Sequence, residues 1–313
     1  MGLWSMNYRL RMITVQKTAE LTGHANPVFT LELSQKPGIL FTGGNDKGLV
    51  EWGLKDFSFI KVMFPVNASI YAIHCPQGYP LMFAGLRSGE VLVFDFIQQK
   101  LLKPLRYHRK AIFDIKSSVK KDELLVASED GTVSVWSLKA LEMVHSITVS
   151  KDTVRCIAVS PDQKQVAFGC RDNHIAVYDL EDYTIIKALH GHTMAVFTLA
   201  YSPDGSYIAS GSRDAQIKIW DTGSYHEVKN IAAHLFAVNH IAFHPTLPYF
   251  ATASMDKSIK IWGSDDFKLY KNISREKGYP GHVLSINKLV WASTDQLLSV
   301  SDDKHVINWE VKF

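Results

Sequence analysis

A chain of 313 residues, 46% hydrophobic and 21% charged, has the composition of a folded globular protein and excludes a disordered or low-complexity one. Its formal net charge of +3, with lysine and arginine scattered along the chain, is too mild for a protein whose main partner is nucleic acid. The three cysteines (Cys75, Cys156, Cys170) lack Cys-x-x-Cys spacing, so neither a disulfide framework nor a zinc site is expected; they read as buried thiols of a cytoplasmic, intracellular protein.

No apolar run reaches the length of a membrane span. The opening residues, MGLWSMNYRLRM, lack the apolar stretch of a secretory signal, and Met6 stands where a myristoylation motif needs Ser or Thr. Trp4, Met6, Tyr8, Leu10 and Met12 alternate with polar neighbours, which predicts a strand-like extension over residues 1–14. A second strand-like segment follows from Val15 to Leu21.

From there to the end a unit recurs, clearest between Gly191 and Asp221. Ile208-Ala-Ser-Gly and Gln216-Ile-Lys-Ile-Trp alternate with period two and are bounded by turns such as Ser202-Pro-Asp-Gly, where Pro203 presets the first central φ. A closing aromatic falls at Trp52, Phe94, Trp136, Tyr178, Trp220 and Trp262, each 42 residues after the last, and at Trp309 after 47. An acidic slot six residues earlier holds Asp46, Ser88, Asp130, Asp172, Asp214, Asp256 and Asp303. A histidine slot holds His24, Val66, His108, Ser150, His192, His234 and His282. Units near 24–65, 66–107, 108–149, 150–191, 192–233, 234–281 and 282–313 follow, the last completed by 15–23. No segment keeps a 3.6-residue period, so the expected fold is all-β: a seven-bladed β-propeller with four antiparallel strands per blade.

These motifs resemble those of the WD-repeat family. Gly23-His24, Gly191-His192 and Gly281-His282 match its Gly-His pair, and Trp220-Asp221 its Trp-Asp. The resemblance covers the chain from about residue 15 onward. It implies a repeat offset from the blade, with the N-terminal strand closing the ring in the last blade. The sequence agrees: it stops at Asn308-Trp-Glu-Val-Lys-Phe, without a fourth strand in the last unit.

His, Ser or Thr, Asp and Trp recurring together invite a catalytic reading. The sets are His24, Thr42, Asp46, Trp52; His192, Ser210, Asp214, Trp220; His234, Thr252, Asp256, Trp262; and His282, Ser299, Asp303, Trp309. An active site is needed once, whereas these recur around a ring. The resemblance implies that each set is a hydrogen-bonded chain fastening its blade. Blade two replaces the set with Val66, Ala84, Ser88 and Phe94. Blade four has Ser150, Phe168, Asp172 and Tyr178. Blade three keeps His108, Asp130 and Trp136 but has Val126 in the hydroxyl slot. His240 and His244, four apart on a strand, lie too far apart for one ion, about 13 Å. No metal and no cofactor are expected.

The resemblance also implies that partners bind the top face through three positions per blade. The position three after the histidine slot is small in most blades. The position five after it gives Phe29, Tyr71, Phe113, Arg155, Phe197, Asn239 and Asn287. The position before the acidic slot gives Asn45, Arg87, Glu129, Arg171, Arg213, Met255 and Asp302. Aromatic and arginine side chains are enriched at interfaces. Phe29, Tyr71, Arg87, Phe113, Arg155, Arg171, Phe197 and Arg213 therefore form the expected site, for a protein or peptide partner carrying acidic or phosphorylated groups and an apolar anchor. The expected role is a non-catalytic scaffold or adaptor. One alternative is nucleic-acid or phosphoinositide binding through the arginine arc; another is a propeller enzyme, which needs acidic or histidine groups converging on the channel outside the repeat slots. The apolar strand 57–64 and the loop 274–280 are secondary candidate surfaces, and the oligomeric state is left open.

Overall fold

The computed structural model describes residues 13–313. The alternating segment expected over residues 1–14 falls almost wholly outside them. The described chain forms seven antiparallel sheets in a ring. The inner strands, running outward from blade one, are Val28–Leu33, Ile70–His74, Ile112–Ser118, Val154–Val159, Val196–Tyr201, Val238–Phe243 and Ile286–Trp291. Each packs against the inner strands of both neighbours, and blade seven meets blade one. In blade seven, Thr14–Leu21 pairs with Val306–Lys312, with Val15 opposite Val311 and Leu21 opposite Val306. Both termini thus share one sheet, which leaves no open edge in the ring.

Why these residues make this fold is visible in the alternation. Second and third strands are buried on both faces, as in Leu124–Ala127 paired with Val133–Trp136. Between blades these faces meet in apolar clusters, for example Phe83, Ile112, Ile115, Leu124 and Trp136 between blades two and three. Outer strands are mostly exposed.

Blade two departs from four plain strands. Its outer strand is split into Lys100–Leu101 and Leu105–Arg106, and Pro104 between them removes a ladder donor. The apolar strand of blade one, Ser58–Pro65, has two register irregularities. Phe59 is 56% exposed there and lies edge-on to Trp52.

A further irregularity is common to all blades. The inner and second strands slip register at Phe29, Tyr71, Phe113, Arg155, Phe197, Asn239 and Asn287. A bulge of this kind leaves one residue without a cross-strand partner and re-aims its side chain. It falls at the position five after the histidine slot in every blade.

Candidate functional site

The repeated polar sets are hydrogen-bonded chains. In blade five the His192 Nδ1–H donates to Asp214 Oδ2 at 2.9 Å, and Nε2 accepts from the Ser210 hydroxyl at 2.8 Å. Trp220 Nε1–H donates to the same hydroxyl at 2.9 Å. The Thr193 and Gln216 backbone N–H groups also bind Asp214. Blades one, six and seven repeat this with Thr42, Thr252 and Ser299 as the hydroxyl. Burial works against the Asp214 carboxylate, but these donors outweigh it and hold its pKa at about 2. Asp303 in blade seven also lies at about 2, with His282 as its main stabilising donor against the burial penalty.

Blade three corrects the sequence reading. Its chain is complete despite Val126: His108 Nε2 and Trp136 Nε1 both meet the Ser134 hydroxyl at 2.8 Å. Ser134 is the direct cross-strand partner of Val126, so the hydroxyl has moved one strand over and kept its bonds. Blade two is apolar, with Phe64 stacked on Phe94 at 5.7 Å. In blade four Ser150 donates to Asp172 at 2.6 Å.

Blade four also brings together Cys170, Asp172 and His174, whose candidate ligand atoms lie within 4.8 Å of one another. Sequence reasoning passed over this group, although its i, i+2, i+4 spacing across a turn is visible. Cys170 stands where blades three, five, six and seven have Ser128, Ser212, Ser254 and Ser301, which accept the N–H of the acidic residue. Burial pushes the Cys170 thiol well above its ordinary range.

The bulged residues meet around the mouth of the central channel. Phe29 and Tyr71 lie 5.2 Å apart between ring centres, and Tyr71 and Phe113 stack at 5.6 Å and 9°. Arg155 lies between the Phe113 ring at 4.1 Å and the Phe197 ring at 4.7 Å. Five consecutive blades therefore contribute one continuous stack, which continues as Asn239 and Asn287 around a cavity of about 460 Å³. Arg155 is consequently part of this inner ring, with the aromatics that share its repeat position; burial lowers its pKa below the ordinary arginine value. Arg87, Arg171 and Arg213 are exposed on the rim. Their backbone N–H groups bind the carbonyls of Ser69, Thr153 and Ala195 at 2.9 Å, which puts the first and third positions side by side. Arg171 faces Asp152 at 3.7 Å.

Two further features were missed. The first is an apolar sector on the same face of blades five to seven. Leu235 is 80% and Phe236 58% exposed, and Met194, Met255, Val283 and Leu284 are also exposed. The residues following the histidine slot are charged in blades three and four (Arg109-Lys110 and Lys151-Asp152) and small or polar in blade one (Ala25-Asn26), so this contrast was readable. Leu235 and Val283 line a cavity of about 370 Å³ with Lys260, Arg275 and Glu276, where the loop 274–280 forms a turn of 3-10 helix over Arg275–Lys277.

The second is the charge inside the channel. Below the ring, Asp114, Lys116, His240 and Lys288 line the same cavity, and Glu32 and His74 the one beneath it. His74 Nδ1 meets Glu32 Oε1 at 3.2 Å and Nε2 meets Ser117 Oγ at 2.8 Å, so one polar chain crosses blades one to three. Burial raises the Glu32 pKa, but the His74 hydrogen bond and the charges of His74, Lys288 and Lys116 outweigh it and bring it to about 2. Glu32, His74 and Lys116 occupy one repeat position, 42 residues apart, which is the signal that could have found them. His240 faces this channel, whereas His244 is fully buried and bonded to the Thr294 carbonyl at 2.7 Å.

The family model described as "WD domain, G-beta repeat" matches four times, at residues 99–137, 141–179, 183–221 and 226–263. The chain is 27% identical over 167 residues to U3 small nucleolar RNA-associated protein 12 of Saccharomyces cerevisiae, covering 48% of this chain and 17% of that protein. It is 32% identical over 123 residues to COMPASS component SWD3 of the same yeast, covering 36% of this chain and 39% of that protein. It is 32% identical over 98 residues to eukaryotic translation initiation factor 3 subunit I of Danio rerio, covering 31% of this chain and 30% of that protein. The matched region thus spans well under half the length of each of these relatives. With four family-model matches inside a ring of seven antiparallel blades, five of them fastened by His–hydroxyl–Trp–Asp chains, the chain belongs to the WD-repeat family.

Proposed function

We propose that this protein is a non-catalytic interaction scaffold whose top face holds an acidic or phosphorylated segment of a protein partner. The observation that carries the reading is the stack of Phe29, Tyr71, Phe113, Arg155 and Phe197 beside the exposed Arg87, Arg171 and Arg213. Stacked rings present apolar area whose conformational entropy is already spent, and exposed guanidinium forks donate paired hydrogen bonds to carboxylate or phosphate. The apolar sector of blades five to seven gives the same segment a place for its anchor, and the exposed Lys257 and Arg275, which line one cavity with Leu235 and Val283, suit carboxylates flanking it. Two relatives are named as a component and a subunit of larger assemblies, in keeping with a role inside a complex. The free, buried thiols suit a reducing interior, and we place the protein in the cytoplasm.

The Glu32–His74–Ser117 chain does not alter this reading. Ser117 lies within the strand Ile112–Ser118, opposite Leu124, so its hydroxyl projects from a paired ladder and not from the sharp strand-to-helix turn that exposes an acyl-transfer serine. The chain instead joins three inner strands. The test is capture of partners from native extract with wild-type protein and the double variant Phe113→Ala/Arg171→Glu. A partner lost from the folded variant supports the reading; an unchanged partner list removes it. Steep loss of capture between low and moderate salt, insensitive to protein digestion of the extract, would favour nucleic acid instead.

A further inference from the structure

The charges at the channel mouth do not balance. Lys116, Arg155 and Lys288 line the cavity with Asp114 as its one carboxylate. Asp114 already accepts the Ile115 and Ile157 backbone N–H groups, each at 2.9 Å. Its distance to the Lys116 ammonium is 4.0 Å, the far limit of an ion pair. Lys288 donates to the Thr30 hydroxyl at 3.2 Å, which leaves two of its three donors over. Arg155 is clamped between two rings and lines the cavity, and its guanidinium makes no hydrogen bond among the described residues. Glu32, the other channel carboxylate, lines the lower cavity and is taken by His74.

These groups are held together with fewer carboxylates than cations; Asp114 is the main influence raising the Lys116 pKa. Burial, and then Lys116, lower the Lys288 pKa below the ordinary lysine value. Burial, then Lys288 and Lys116, push His240 well below the ordinary histidine value, so it adds no positive charge at neutral pH. Three cations face Asp114 and, one layer down, Glu32, which leaves the mouth with a net positive charge that a bound anion would neutralise. The space of about 460 Å³ falls within the usual range for small-ligand sites, about 300–1,000 Å³.

We propose that the mouth of the central channel is a phosphate-binding site, in which Lys116, Lys288 and Arg155 hold the phosphate group and the ring of Phe29, Tyr71, Phe113 and Phe197 holds the group that bears it. This rests on the interaction reading only in sharing its site. The phosphate can come from a phosphorylated side chain of a partner or from a free small molecule, and the chemistry of recognition is the same for both.

The test is isothermal titration of the full chain with phenyl phosphate, with inorganic phosphate and with a five-residue peptide carrying a central phosphotyrosine, using phenol as the uncharged control. The expected result is saturable binding of phenyl phosphate at one site, none of phenol, and a Kd raised roughly tenfold or more by Lys288→Met and by Arg155→Met. Lys120→Met, exposed at the opposite end of the ring, is expected to bind as wild type. Thermal melts of each variant separate lost binding from lost folding. A peptide that binds more tightly than phenyl phosphate assigns the phosphate to a partner's side chain; one that binds no better assigns it to a free molecule. No saturation by about 10 mM, or equal affinity in folded Lys288→Met and Arg155→Met, overturns the proposal. Partner capture that depends on Phe113 and Arg171 without any phosphate affinity overturns this inference alone. Phosphate affinity with a partner list unchanged in Phe113→Ala/Arg171→Glu overturns the interaction reading alone.

Discussion

Ser134→Ala is the sharpest perturbation of the blade fastening, because the Ser134 hydroxyl serves two buried groups at once. Removing it strands the Trp136 N–H and the His108 Nε2, each now bonded at 2.8 Å. A buried group left without its partner costs about 1–3 kcal/mol. Two such groups give roughly 2–4 kcal/mol, toward the lower half of the sum because the small void can admit water. Unfolding entropy near 2.1 cal/mol/K per residue over 313 residues comes to about 0.65 kcal/mol/K, so the melting temperature falls by roughly 3–6 °C. The compensating change is Val126→Thr. Val126 pairs directly with Ser134 and holds the position at which blades one and six carry Thr42 and Thr252. The double variant Val126→Thr/Ser134→Ala should therefore recover most of the loss, measured by calorimetry at neutral pH. A double variant as unstable as Ser134→Ala, or a single variant melting within about 1 °C of wild type, would refute the view that the hydroxyl has migrated between paired strands.

The remaining predictions concern the same fastening. Asp214→Ala leaves three donors (His192, Thr193 and Gln216) without an acceptor and should lower the melting temperature well beyond Ser88→Ala, whose blade has no such chain; equal shifts would contradict the account. Stability should fall on acidification in two stages. His24 and His234 are lowered below their ordinary pKa chiefly by burial, so the unfolded chain takes up protons first, below about pH 6.5. Asp214 and Asp303, at about 2 in the fold, contribute stability that is complete above about pH 4 and lost as pH falls toward 2. A melting temperature flat from pH 7 to pH 3 would rule this out. The turn after each acidic slot is left-handed, at φ 68° for Ala215 and 86° for Gly131. Ala215→Gly relieves about 1–2 kcal/mol of strain against about 0.5–1 kcal/mol of added chain entropy, and should stabilise slightly. Gly131→Ala puts a Cβ 2.4 Å from the Ser150 carbonyl oxygen and should destabilise; effects of the same sign at both positions would contradict the turn assignment.

The period of 42 carried most of the architecture, because a blade can bury its sheet only against a like neighbour and so repeats its core at fixed spacing. The four complete chains were readable for the same reason. Ser134 was not, since a column records a residue type at one position, while the hydrogen bonds need only the hydroxyl's place in space, which the paired strand also reaches. The position holding Phe29, Tyr71, Phe113, Arg155 and Phe197 could be picked out. That a bulge turns it onto the channel, and that two rings then capture Arg155, depends on backbone register and on neighbours in other blades. Glu32, His74 and Lys116 escaped for the opposite reason: they share a repeat position but differ in type, and a search for recurrence passes over what varies. The exposed Leu235 and Phe236 could have been found by comparing them with the charged pairs of blades three and four, but they lie outside the columns that the repeat makes conspicuous.

Cross-linking of the captured partner through lysine, followed by mass spectrometry, tests the top-face reading most directly. Lys47, Lys110, Lys151 and Lys257 are exposed at the end of the ring where the inner strands begin; Lys36, Lys120, Lys164 and Lys268 are exposed at the other end. Partner cross-links confined to the first group are the predicted result. Cross-links concentrated on the second group would contradict the account.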